Sequence, residues 1–189
     1  MPPATYRPGS LLAKLRHDLA SLNCEPGEDT RALFRCEETG VEFVAEERVE
    51  ARFLMHIVTT RFSCRVPCGG GGPARIRIRH RGTWRRAGIE CTTRRAEEPA
   101  VRQLAAQLAS DLALTSSMLP LDFTDFQLER DESGWIASLV HYGASEVVYQ
   151  FPSTRQYVRL APHQAHSILK TFARLRDLLT ASTGRRSHR

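Results

Sequence analysis

Residues 123–160 read FTDFQLERDESGWIASLVHYGASEVVYQFPSTRQYVRL, and this stretch decides the fold class. Four runs within it, 123–129, 135–142, 147–151 and 156–160, are rich in β-branched and aromatic residues, which suit a pleated, half-buried surface. The clusters DESG, GAS and PST separate them and break regular structure. A parallel neighbour would need a crossover of a dozen or more residues, so runs joined this closely pair antiparallel. The stretch predicts a four-strand meander.

Both flanks read as helix. Upstream, 96–119 has Pro99 in its first turn beside Glu97 and Glu98, repeats Val101, Leu104, Ala105, Leu108 and Leu112 at helical spacing, and closes at Pro120. Downstream, 162–180 opens on Pro162 and carries Ile168, Leu169, Phe172, Leu175 and Leu179 as its buried stripe.

Further out, 10–22 reads as a helix capped by Ser10, with Leu11, Leu12, Leu15 and Leu19 on one side and a turn at Pro26-Gly27 beyond it. Residues 32–36 and 41–47 flank EETG as a hairpin, with Val41, Phe43 and Ala45 facing one way. Residues 53–66 are too long for an average strand and read as one bent strand or two in succession. Gly69, Gly70, Gly71, Gly72 and Pro73 form the strongest breaker, expected to be a mobile tip or linker. Beyond it, 75–81 and 83–91 make a second hairpin around Arg81-Gly82.

Runs of adjacent strands with helices segregated between them mean α+β rather than a parallel α/β sheet. The expected architecture is a curved antiparallel sheet of about eight to nine strands with three helices, in the order helix, meander, helix, meander, helix, the last two helices covering one face. Residues 1–189 read as one domain. The halves 1–95 and 96–183 repeat an order of elements, as a duplication would, although no residue-level identity links them; 184–189 read as a flexible basic tail.

The hydrophobic share of 41% together with 12 glycines excludes wholesale disorder. Five cysteines, an odd number, and an N-terminus without an apolar run point to a reducing cytoplasm. The apolar stretches 53–58 and 112–121 fall well short of the roughly 18 residues that span a bilayer, so no membrane span is expected. The chain carries 27 basic against 21 acidic residues, and only Lys14 and Lys170 of the basic set are lysines. Arginine's planar donor fork suits phosphate and carboxylate, although a genome rich in G and C would write the same excess.

No catalytic or cofactor motif stands out, so catalytic residues are left unassigned and neither cofactor nor metal is expected. Cys64 and Cys68 have the spacing of a zinc knuckle, but the second ligand pair is missing. The glycine run lacks the Lys and hydroxyl of a phosphate loop, and His163 and His166 lack the spacing and glutamate of a metalloprotease helix.

The least ordinary feature is RIRIRHR at 75–81. With a side-chain period of two, Arg75, Arg77, Arg79 and Arg81 share one face, spaced like successive phosphates, and Arg85 and Arg86 would widen the patch. Trp84 and Tyr157 would offer stacking surfaces, and Glu42, Glu46, Glu47 and Glu50 are candidates to neutralise the ridge. The leading expectation is a non-enzymatic binding or adaptor module that takes nucleic acid or an acidic protein on this face. Two alternatives stand beside it. One is a pocket for a small apolar ligand or substrate, lined by Phe123, Trp135, Tyr142, Tyr149 and Phe151. The other is a homodimeric subunit.

Overall fold

The computed structural model describes residues 6–68, 71–82, 86–94 and 98–184. Along the chain run α1 (Ser10–Asp18), β1 (Asn23–Pro26), β2 (Arg31–Cys36), β3 (Val41–Arg52), β4 (Met55–Pro67), β5 (Ala74–Arg81), β6 (Gly88–Thr93), α2 (Pro99–Ser110), α3 (Leu112–Met118), β7 (Phe123–Asp131), β8 (Gly134–Tyr149), β9 (Thr154–Val158) and α4 (Pro162–Gly184). The fold is α+β, as expected. The described strands form one open antiparallel sheet of nine, ordered β1-β2-β3-β4-β8-β7-β5-β6, with β9 also paired to β8. The hairpin β5–β6 therefore does not sit beside β4; β8 and β7 come between.

Period-two alternation divides the sheet into two unlike faces. On one face the register aligns Phe34 with Phe43, Ala45 with Phe62, Phe62 with Leu139, Leu139 with Phe126 and Leu128 with Ile76, all buried. The helices cover this face. Phe172 of α4 meets Phe43 with ring centroids 6.0 Å apart, and Leu12, Leu15, Val101, Leu108, Leu114 and Leu175 join the same contiguous core. The opposite face has no helix over it among the described residues, and it carries Arg35, Glu42, Arg48, Ser63, Ile136, Gln127 and Arg77.

Four local expectations are corrected. The helix expected over 96–119 is two, giving four helices instead of three. Asp111 leaves the helix with φ −75° and ψ 112°, its carboxylate accepts the Leu114 N–H at 2.7 Å as the cap of α3, and Arg174 holds it at 2.6 and 3.1 Å. A capping side chain has outcompeted the helical period.

Second, the meander has three strands, because 135–142 and 147–151 fuse into β8. GAS is a kink inside the strand: Ala144 takes φ 58°, Thr60 Oγ1 donates to its carbonyl at 2.7 Å, and Ser145 Oγ donates to Tyr142 O at 2.6 Å. There β8 changes neighbour, pairing with β7 before the kink and β9 after it.

Third, α1 stops at Asp18, and 23–26 become an edge strand instead of turn. Fourth, part of the glycine run is docked. Arg130, with its side chain only 6% exposed, donates from Nε to Gly72 O at 2.8 Å and leaves no room for a Cβ on Gly71. Gly69 and Gly70, and the tail beyond residue 184, lie outside the described residues.

Candidate functional site

The arginine ridge lies on the helix-free face. Ala74, Ile76 and Ile78 of β5 are buried, so Arg75, Arg77, Arg79 and Arg81 point the other way. Their neighbour is β7, whose Asp125, Gln127 and Glu129 share that face. Arg75 donates to Gln127 Oε1 at 3.1 Å and lies 3.4 Å from Glu129, and Arg77 lies 3.5 Å from Asp125. Arg79 stands opposite Glu90 in the register, but neither Arg79 nor Arg81 makes an ion pair within 4 Å among the described residues. Arg86 is held by Asp122 and by Leu119 O at 2.9 Å; Arg85 and Trp84 lie outside the described residues.

The glutamates considered as neutralisers have other partners. Glu42 binds Arg35 at 2.6 Å, Glu46 binds Arg48 at 2.9 Å and Glu50 binds Arg52 at 3.0 Å, all on the far side of β4. The face is therefore a mesh of alternating sign. In its middle, Arg61 Nε is buried without a hydrogen-bond partner.

Glu47, the fourth of these candidate neutralisers, is not on the ridge's face at all. It shares the inward face with Val41, Phe43 and Ala45, is 6% exposed, and reaches the start of α1. Its carboxylate accepts from Gly9 N at 3.1 Å, Leu11 N at 2.9 Å, Leu12 N at 3.0 Å and Tyr6 Oη at 2.6 Å. The alternation already noted at 41–45 would have found it, continued by one more step.

Glu146 is likewise buried beneath α1, between Lys14 and Arg155, the latter at 3.2 Å. His56 lies in this layer, its ring edge-on to Tyr6, and burial, then the nearby Arg155, pushes its pKa down. Tyr157 is on this face too, under Lys14 and bonded to Asp18 at 2.7 Å, so it offers the ridge no stacking surface.

The five residues proposed to line a pocket are scattered. Trp135 is buried beneath Arg130, Phe123 stacks on His80 at 4.3 Å, and Tyr142, Tyr149 and Phe151 are exposed. A cavity of about 660 Å³ lies instead between α1 and β9, lined by Ser10, Ala13, Lys14, His17, Tyr157 and Arg159. Its charges are spent on one another: Lys14 on Glu146, and Arg159 on Asp18 at 2.7 Å.

All five cysteines are free thiols. Burial pushes Cys64 up to about 11 and Cys91 up to about 12, so both stay protonated near neutral pH. Among the described residues no group of three or more His, Cys, Asp or Glu could hold a metal ion. His141 Nε2 lies 3.0 Å from Asp122 N and its Nδ1 2.8 Å from Gly143 N; the neutral ring has one lone-pair nitrogen and accepts from one of the two, and burial lowers its pKa. A second ring proton would forfeit that accepted bond.

One end of the sheet is conspicuously apolar. Phe53 is 90% exposed and Leu54 49% in the β3–β4 turn, while Phe151 is 85% exposed in the β8–β9 turn. The two turns are adjacent, because Met55 pairs with Tyr149 and Gln150 N donates to Leu54 O at 2.9 Å.

The model of a protein family of unknown function, DUF3156, matches residues 17–179. The chain belongs to that family. The match begins inside α1 and ends inside α4, so family membership takes in all nine strands of the sheet. No curated protein and no solved structure matches the chain. No helix among the described residues is long and apolar enough to cross a membrane.

Proposed function

We propose that this protein is a non-enzymatic cytoplasmic binding module that takes an anionic partner on the helix-free face of its sheet. The observation that carries the reading is the division of the ridge. Arg75 and Arg77 are engaged by β7, whereas Arg79 and Arg81, two residues apart on one face, make no ion pair among the described residues. A pair of guanidinium forks at that spacing, about 7 Å, suits adjacent phosphates or carboxylates.

The test is fluorescence anisotropy with an oligothymidine of about 20 nucleotides and with a polyglutamate peptide at low salt. Two free arginines imply a log–log salt slope of about −1.4 on the single strand, where four would imply about −3. The double variant R79Q/R81Q should abolish binding, and R75Q/R77Q should weaken it little. Failure of the unmodified protein to bind either probe at about 50 mM salt overturns the reading.

A further inference from the structure

We propose that the paired ends of the β3–β4 and β8–β9 hairpins dock the protein on an anionic lipid bilayer, with Phe53, Leu54 and Phe151 entering the headgroup region. This goes beyond the ridge reading and shares no residue with it. Large apolar side chains are normally withdrawn from water, and contiguous exposed ones mark interaction sites. Here the two most exposed phenylalanines of the described chain stand at adjacent turns, 90% and 85% exposed. The apolar surface continues down the helix-free face through the cross-strand pairs Met55–Tyr149 and Ile57–Val147.

Shape and charge favour a bilayer over a protein partner. Turns at the end of a sheet project, giving points of insertion instead of the roughly 800 Å² per side that a stable protein interface buries. Residues 51–60 and 147–159 contain no aspartate or glutamate; Arg155 and Arg159 are engaged by Glu146 and Asp18, which leaves Arg52 as the basic residue beside the tip. Arg52 reaches only the equally exposed Glu50, and such a pair exchanges for a lipid phosphate at little cost. Desolvation of the tip backbone is also limited. Leu54 O already accepts from Gln150 N, and Pro152 has no N–H to bury. Tyr149, 41% exposed behind the phenylalanines, is the residue type that settles at a membrane–water boundary. Apolar insertion and basic attraction are each weak alone and sufficient together.

The experiment is co-sedimentation with sucrose-loaded vesicles of phosphatidylcholine, with and without about 30% phosphatidylglycerol, at about 0.1 M salt. The protein should pellet with the anionic vesicles and bind pure phosphatidylcholine at least tenfold more weakly. R52Q should bind the anionic vesicles several-fold more weakly. F53S and F151S should each lower the partition coefficient by roughly tenfold, and F53S/F151S by more, with thermal melting unchanged because both side chains lie outside the core. If the double variant does not fold, the single variants decide. Absence of pelleting overturns the proposal, as does pelleting that survives F53S and F151S. Sedimentation velocity supplies the third arm: concentration-dependent association abolished by F53S/F151S, without vesicle binding, would overturn it in favour of an interface between two copies. Oligothymidine binding reports only on the ridge, so either reading can fail alone.

Discussion

Replacing Glu47 should loosen the start of α1. The helix is nine residues long, too short to persist alone in water, and it is held by three buried leucines, by this carboxylate at its start, and by Lys14 and Asp18 further along, which pair with Glu146 and Arg159. Glu47→Ala strips acceptors from the N–H groups of Gly9, Leu11 and Leu12 at the positive end of the helix, and from Tyr6 Oη. Each unsatisfied buried donor costs about 1–3 kcal/mol, and charge-assisted bonds are each worth about 1.5–3 kcal/mol. These do not add, because the helix can release its first turn to water once the cost exceeds what the leucines hold. A loss of about 3–5 kcal/mol is expected for Ala. Glu47→Gln keeps an oxygen for Leu11 and Leu12 but turns an NH₂ toward Gly9 N, so about 1–2 kcal/mol is expected. Urea denaturation followed by far-ultraviolet circular dichroism measures both, and hydrogen exchange at Leu11 and Leu12 localises the change. If Glu47→Ala unfolds at the parent midpoint with the Leu11 and Leu12 amides still protected, the capping argument is wrong.

Three further outcomes are expected. Leu108→Ala and Phe172→Ala, both at fully buried positions, should each cost about 2–5 kcal/mol, whereas exposed Gln103→Ala should cost less than about 0.5 kcal/mol in the same denaturation assay. Asp111→Asn should cost about 1 kcal/mol at pH 7 through the lost charge pair with Arg174, discounted for its partial exposure, because the Asn oxygen can still cap Leu114 N. The Arg174 hydrogen bonds lower the folded pKa of Asp111, so its stabilisation is present above the unfolded value near 4 and fades as pH falls through the folded one; the gap between parent and variant in acid titrations should close there. Finally, native-state alkylation at pH 8 read by mass spectrometry should modify half-buried Cys24 and Cys68 well before Cys64, whose pKa is pushed to about 11.

What was legible in the sequence follows the reach of each signal. Helix stripes and strand alternation are local, so α4, the β2–β3 hairpin and the antiparallel character of the sheet could be read directly. Asp111 and the GAS kink could not, because each is decided by a distant partner. Asp111 caps α3 with a carboxylate that Arg174, 63 residues away, also holds. Ala144 stays in its positive-φ position beside a hydrogen bond from Thr60, 84 residues away. Read alone, an acid after an apolar repeat suggests a surface position, and Gly-Ala-Ser suggests a turn.

Strand order had the largest consequence for the arginine ridge. Sequence adjacency predicts β5 next to β4 and its neighbour β3, a placement that would set the arginine ridge near Glu42, Glu46 and Glu50. The fold inserts β8 and β7 instead, and the carboxylates that reach Arg75 and Arg77 are Glu129 and Asp125. β7 does not reach Arg79 and Arg81, which make no ion pair among the described residues, so topology divides a ridge that looks uniform in the sequence. The hairpin tips obey the same logic in reverse. Phe53 and Phe151 are core residue types by composition, but each sits on an exposed turn. Only the pairing of β4 with β8 makes two isolated exposed rings into one apolar surface.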